Sequence, residues 1–187
     1  MFLLDELQRK LQEYQIQAIT KEDFEQVMPA YRTNEAFFLL TDGKPAEKEQ
    51  CLHDIDEVPP NFSLENKYFL GLWKDGDIAA VLDFLVGFPE PGIIWIGLLL
   101  IHGKLQGTGI GTEIINRLCE VCKEQGYAAV QIGVIEENKK ALQFWGKQGF
   151  KEIRKTTITR EDKPDWYVVV MEKPLEKPAS QPESQDQ

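Results

Sequence analysis

Residues 98–112 read Leu98-Leu99-Leu100-Ile101-His102-Gly103-Lys104-Leu105-Gln106-Gly107-Thr108-Gly109-Ile110-Gly111-Thr112, an apolar run that turns through a short loop into the start of a helix. The chemistry these residue types allow is anion binding. Three glycines in five positions let backbone N–H groups converge on one point, and the positive end of the helix dipole adds to their pull. A pyrophosphate suits such a cradle. Two nucleotide-binding patterns built on the same physics are excluded by detail. A phosphate loop needs Lys and then Ser or Thr after its last glycine, whereas Thr112-Glu113 follows Gly111 here. The dinucleotide fingerprint would put its third glycine at Thr112, and no acid ends the next strand at the required distance. On the glycines alone, a tight turn that packs helix on sheet remains the other reading.

Four further groups of residues could carry chemistry. Asp83 stands in the apolar stretch Val81-Leu82-Asp83-Phe84-Leu85, where an acid needs a structural or a chemical reason. Its alternation with Leu82 and Phe84 does not say which face it takes. His102, at the end of the strand before the cradle, has a suitable intrinsic pKa for proton transfer, although a loop residue is the plainer reading. Cys119 and Cys122 form the only C-x-x-C, and His53 and His102 are the only histidines, so no metal site is expected. One helical turn apart, the two thiols read as core residues. Glu136 and Glu137 read as a solvated pair near the mouth between a strand and a helix.

The elements that would position these groups follow from periodicity and turn residues. Residues 2–14 place Leu3, Leu4, Leu7, Leu11 and Tyr14 at helical spacing, an amphipathic helix whose apolar stripe needs either the domain's own sheet or a second subunit as partner. Residues 16–19 suit a short strand, with Thr20 as the next N-cap. Residues 21–58 suit helical pieces broken at Pro29 and at Asp42-Gly43-Lys44-Pro45, ended by Pro59-Pro60. A hairpin is expected at 68–73 and 78–86, then a buried strand at 93–101. Residues 109–125 form an apolar-faced helix with Gly126 as C′; a strand at 128–135 and a helix from Asn138 to Gly149 follow, then strands at 151–160 and 165–172. If Gly149 is C′, Trp145 and Phe150 meet across the cap. The order implies a mixed α+β sandwich: a 1–15 helix, a 16–173 domain and a disordered 174–187 tail.

Gln106-x-x-Gly109-x-Gly111 after a buried strand resembles the Q/R-x-x-G-x-G/A signature of the GNAT superfamily of N-acetyltransferases. Asn138-x-x-Ala141-x-x-Phe144-Trp145-x-x-x-Gly149-Phe150 resembles that family's second block, and with the strand order the likeness covers about residues 16–172. The resemblance implies a mostly antiparallel central sheet flanked by helices, with acetyl-CoA as cosubstrate and no metal. It implies that the amides of Gln106, Gly107, Thr108, Gly109, Ile110, Gly111 and Thr112 hold the pyrophosphate. It further implies that Leu99, Leu100 and Ile101 pair with the pantetheine arm where neighbouring strands splay, and that Asn138 and Phe144 line the same channel. A strand amide would then polarise the thioester carbonyl.

Two departures from the family stand out. Many relatives carry a Tyr beside the position of Phe144 to protonate the leaving thiolate, but this chain has Trp145, whose indole is no proton donor at neutral pH. Tyr31, Tyr127 and Tyr167 are the remaining phenols of interest. The usual carboxylate on the strand before the cradle is also absent, since 93–101 contains no acid. Asp83, with His102 second, is the substitute expected to act as base. The expected activity is acetyl transfer to a primary amine of a small molecule, a peptide N-terminus or a lysine, by direct attack in a ternary complex. The alternatives are an acetyl-CoA-binding sensor or scaffold without turnover, and transfer of a longer acyl group. Residues 31–66 and the loops after Phe88 and Arg160 would receive the acceptor, with Phe37, Phe38 and Trp95 as an apolar wall. The net charge of −10 argues against nucleic acid or an anionic membrane as partner and weakly favours a cationic acceptor. Asp5 and Glu6 interrupt any export signal, so a cytoplasmic protein is expected.

Overall fold

The computed structural model describes residues 2–160 and 164–175. Helices α1 (Phe2–Lys10), α2 (Phe24–Arg32), α3 (Glu35–Asp42), α4 (Lys48–Asp56), α5 (Ile110–Glu124) and α6 (Lys139–Lys147) accompany seven strands. These are β1 (Gln15–Ala18), β2 (Lys67–Lys74), β3 (Asp77–Val86), β4 (Ile93–Ile101), β5 (Ala129–Ile135), β6 (Lys151–Ile158) and β7 (Trp166–Pro174). They form one sheet in the order β1-β2-β3-β4-β5-β7-β6, antiparallel at every step except β4 with β5. The architecture is the mixed α+β class expected. The single parallel step arises because α5 carries the chain back between β4 and β5, as a parallel crossover requires.

Two apolar layers sandwich this sheet. On one face α1, α5 and α6 cover Leu82, Phe84, Ile94, Ile96, Val130, Ile132, Val169 and Met171; on the other α2, α4 and Phe38 of α3 cover Phe69, Val81 and Leu100. Leu3, Leu7 and Leu11 of the N-terminal stripe are buried in the first layer, so the partner of α1 is the domain's own core. Among the described residues, no helix is long and apolar enough to cross a membrane. Every residue of β6 except Thr156 is exposed, because among the described residues no helix covers this rim of the sheet.

The helix ends follow the glycines. At Gly149 (φ +89°) the Phe150 N–H donates to the Trp145 carbonyl at 3.1 Å and the Gly149 N–H to the Gly146 carbonyl at 3.1 Å. The Trp145 and Phe150 rings lie 5.0 Å apart across this cap, the contact that the sequence predicts. Because an L side chain costs about 1–2 kcal/mol at such a φ, Gly149→Ala should lower stability by that amount. A lower urea midpoint at unchanged slope is the expected readout.

The structure departs from expectation at two places. Pro29 lies inside α2 and does not break it; Pro29 is exposed, so the Glu25 carbonyl it leaves unpaired faces water, and the chain turns instead at Thr33-Asn34. The sheet also extends into the expected tail, since Pro174 ends β7 and Leu175, 8% exposed, donates its N–H to the Ala128 carbonyl at 2.8 Å. The remainder of that tail, 176–187, lies outside the described residues.

Candidate active site

The parallel step is incomplete, and this opens the sheet. β4 pairs with β5 from Ile93↔Ala129 to Ile96↔Ile132 and then stops, although both strands continue. The cause is visible in the β3–β4 register: Asp83 faces Leu98 and Phe84 faces Ile96, so Gly97 is an extra residue in β4. Such a bulge bends and twists its strand, and from Gly97 to Ile101 β4 stays with β3 while β5 stays with β7. A fork results, walled by two strands whose facing backbone groups have no strand partner.

At the far end of the fork stands the glycine loop. Gly107 (φ +77°) and Gly109 (φ +95°) adopt backbone conformations that L residues rarely take, with nothing within 4 Å of either Cβ position. These glycines therefore serve backbone geometry, not space. Gly111 is different: a Cβ there would meet Phe144 Cζ at 3.3 Å, so its absence seats the Phe144 ring on the first turn of α5. Among the described residues, the N–H groups of Gly107, Gly109, Ile110, Gly111 and Thr112 have no protein acceptor. Unpaired donors at the start of a fifteen-residue helix make an anion site. Gln106 does a separate job with its side chain: Nε2 donates to the Ile101 carbonyl at 3.1 Å and to Asn34 Oδ1 at 3.0 Å, and Asn34 Nδ2 donates to the same carbonyl at 2.9 Å. With the Gly103 N–H donating to Thr33 Oγ1 at 3.0 Å, this clasps the end of β4 to the α2–α3 corner. Asn138 caps α6, its Oδ1 accepting from the Ala141 N–H at 3.1 Å.

Beside the bulge lies a buried charge pair. Asp83 is 6% exposed and shares the α2–α4 face with Val81 and Phe69. Its Oδ1 is 2.8 Å from Lys67 Nζ, an approach off the line of a well-formed hydrogen bond, so the attraction is chiefly that of opposite charges. A Cβ on Gly97 would stand 2.3 Å from Oδ2, so the carboxylate fills the space that the missing side chain leaves, while Gly97 itself is exposed. Burial pushes the Asp83 carboxyl up to about 6, against the pull of the neighbouring Lys67 ammonium. Along the same face, Trp95 packs edge-on against Phe88 with centroids 5.6 Å apart, and Phe88 against Phe62, also at 5.6 Å. The Trp95 ring reaches within 3.2 Å of the Cβ position of Gly133, across the fork. Phe38 instead stacks on Tyr31 in the core and Phe37 packs on Phe38, so the aromatic row that borders the fork is Phe62, Phe88 and Trp95.

The remaining residues of interest lie elsewhere. His102 Nδ1 accepts from the Lys104 N–H at 3.2 Å and lines a depression of about 1120 Å³ between the β2–β3 turn and the start of α5. Five residue steps of strand, roughly 16 Å, separate it from Gly97. Trp145 is 4% exposed in the core, edge-on to Phe144 at 5.0 Å. Tyr31 is fully buried and donates to Asp54 Oδ2 at 2.8 Å; Tyr127 packs in the α5 layer; Tyr167 is exposed. Glu136 pairs with Lys155 at 2.6 Å, which holds its carboxyl below the usual range. Cys119 and Cys122 are buried free thiols pushed up by burial, the packed pair that their spacing predicts.

Lys67, the bulge at Gly97, Asn34 and the Phe62–Phe88 contact are the features that the sequence did not reveal. For Lys67 the β2–β3 hairpin register counted back from the turn points to the wrong face, because the pairing slips between Leu72 and Trp73.

Comparison with known proteins covers the part of the chain that carries this geometry. A model of the acetyltransferase (GNAT) family matches residues 4–150. An uncharacterized N-acetyltransferase of Methanocaldococcus jannaschii is 30% identical over 77 residues, a match that spans 41% of this chain and 34% of that protein. Among solved structures, an acetyltransferase from Thermus thermophilus superposes with a TM-score of 0.68 at 22% identity, over 87% of this chain and 97% of that one. The ribosomal-protein-S18-alanine N-acetyltransferase from Escherichia coli gives 0.63 at 15% identity, over 89% and 97%.

Proposed function

Because the chain belongs to the acetyltransferase (GNAT) family, we propose that it moves an acetyl group from acetyl-CoA to a primary amine by direct attack in a ternary complex. The observation that carries this reading is the fork: β4–β5 pairing ends at Ile96↔Ile132, and the open edges lead to a loop of unpaired N–H donors. The pyrophosphate would sit on the amides of Gly107, Gly109, Ile110, Gly111 and Thr112. The pantetheine arm would take the strand edge at Leu99, Leu100 and Ile101, beside Phe144 and Asn138. The fit is supported by Gly111, whose missing Cβ leaves Phe144 against the start of α5.

The chemistry asks three things of the chain. A strand N–H at the fork must hold the thioester oxygen as it becomes an oxyanion. The amine nitrogen then bonds to the carbonyl carbon, the C–S bond breaks, and sulfur leaves with the electron pair. A thiol of pKa about 8.5 is a fair leaving group, so the burial of Trp145 in the core does not preclude turnover; solvent can supply the thiolate proton. The amine attacks as the free base, an acceptor arriving as an ammonium having lost its first proton to solvent; Asp83 receives the proton that nitrogen gives up on forming the amide, its Oδ2 lying under the glycine window at Gly97. The acceptor amine would approach on the α2–α4 face, along Phe62, Phe88 and Trp95, drawn as a cation by the acids there.

The test is calorimetric titration with acetyl-CoA, followed by thiol release against a panel of amines. Binding with release supports the enzyme, binding without release on any amine supports a sensor, and no binding removes the reading. If Asp83 is the base, kcat/KM should rise with pH along a limb with an apparent pKa of about 6, because the carboxyl must be deprotonated to accept a proton. A pH–rate profile with no limb between pH 5 and 7 would remove Asp83 from that role.

A further inference from the structure

We infer that Lys67 is a positioning residue for proton transfer: it anchors Asp83 Oδ1 and leaves Oδ2 turned to the bulge at Gly97, keeping the carboxylate charged inside the sheet face. The inference rests on Asp83 acting as base and adds a second residue to that role.

A lysine buried to 4% of its side-chain surface is costly unless a partner repays its lost hydration, and a carboxylate buried to 9% needs the same. Each meets the need of the other at 2.8 Å. Yet the pair is asymmetric. Among the described residues Lys67 makes its close approach to Oδ1, which is sealed from solvent without a hydrogen bond, whereas Oδ2 fills the place of the absent side chain of Gly97, itself exposed. Here one oxygen is fixed and the other is left at the bulge where the strands part.

The charges around Asp83 make Lys67 decisive. From β2 it faces Lys67; from α4 it feels Asp54, and from the residue that ends that helix Glu57, both of which push its carboxyl up through space, as burial does. β4 offers Gly97 and Leu98, neither charged. Lys67 is the leading influence that lowers the carboxyl, and it acts against burial, Asp54 and Glu57, which all raise it. Lys67 Nζ also lies 5.8 Å from the centre of the Phe69 ring, which helps to hold the ammonium on this face.

The experiment compares Lys67→Gln, Lys67→Met and Lys67→Arg with the native chain in two readouts: the pH profile of kcat/KM and the 13C titration of the Asp83 carboxyl, assigned by its loss in Asp83→Asn. In Gln and Met variants both the carboxyl titration and the ascending limb should move up by about one pH unit, a loss of roughly fivefold in kcat/KM at pH 6, approaching tenfold at lower pH, that recovers at high pH. Arg should keep the limb near its native place. Met preserves the apolar stem should Gln fail to fold. A carboxyl titration that stays put in both variants overturns the inference, as does a uniform loss of activity at every pH, which is the mark of a structural pair. A carboxyl that shifts while the activity limb does not would instead remove Asp83 from the chemistry, and with it the reading beneath.

Discussion

Gly109→Asp will bind acetyl-CoA roughly 100-fold more weakly than the native chain, or not measurably, while still folding. Gly109 is the N-cap of α5, at φ +95°, and its own N–H is one of the unpaired donors of the loop. A Cβ there meets no atom within 4 Å, so the start of a side chain has room, and the expected cost to the fold is the backbone penalty of about 1–2 kcal/mol. The ligand is affected far more. An aspartate adds bulk at the mouth of the cradle and a negative charge where phosphate should lie, and hydrogen bonds to charged groups are worth about 1.5–3 kcal/mol each. Loss of two therefore suffices for the effect. Gly109→Ala separates strain from charge: it should share the drop in stability and keep most of the affinity. Calorimetry with acetyl-CoA and a thermal melt on the same samples decide the matter, and native affinity in the aspartate variant would sink the cradle assignment.

Asp83→Asn will lower kcat by roughly 100-fold or more, the usual worth of a positioned base, and will also destabilise the protein. The second effect arises because the substitution leaves Lys67 buried without its counter-ion, a loss of about 3–5 kcal/mol when one partner of such a pair is removed. The two effects can be separated. Replacing both residues, as Asp83→Asn with Lys67→Met, removes the orphaned charge and should recover much of the melting temperature, since apolar replacement of a whole buried pair is often neutral. It should recover none of the turnover. Binding of acetyl-CoA should be near native in both variants, because neither residue touches the cradle. If the double variant regains activity along with stability, Asp83 is a structural residue and the base lies elsewhere.

What could be read in advance was local. The glycine loop before α5, the cap at Gly149 with Trp145 against Phe150, and the buried strand Ile93–Ile101 are each set by neighbours within a few positions, so spacing reveals them. Asp83 could be singled out as an acid among apolar residues, but its side could not. Both faces of β3 are covered here, and the alternation that normally distinguishes inside from outside disappears when both sides are inside.

Lys67 was hidden by register. Counting back along the hairpin from Lys74↔Asp77 without a break places Tyr68 opposite Asp83, with Lys67 on the wrong face. An irregularity between Leu72 and Trp73 shifts the pairing by one, so that Phe69 faces Asp83 and Lys67 joins it. Gly97 was hidden for a similar reason: a glycine in an apolar strand looks like a loss of side chain, and only the pairing of β3 with β4 exposes it as the extra residue. Asn34 meets Gln106 across 72 positions, a contact that no local pattern encodes. Pro29 misled because its missing N–H matters less where the freed carbonyl can find water.

The position of β7 bears on the order in which the chain assembles. β6 leaves the ribosome first, yet it lies at the rim of the sheet and pairs with β7 alone, while β7, made later, is wedged between β5 and β6. An emerging β6 therefore has no docking place of its own. It must wait, then zip with Trp166–Pro174 as a hairpin that enters by its inner strand. Until that happens β5 presents a bare edge to its surroundings. Once the sheet is closed, β6, with Lys151, Glu152, Arg154 and Lys155 in water, carries the charges that discourage a stranger's strand from adding beyond it.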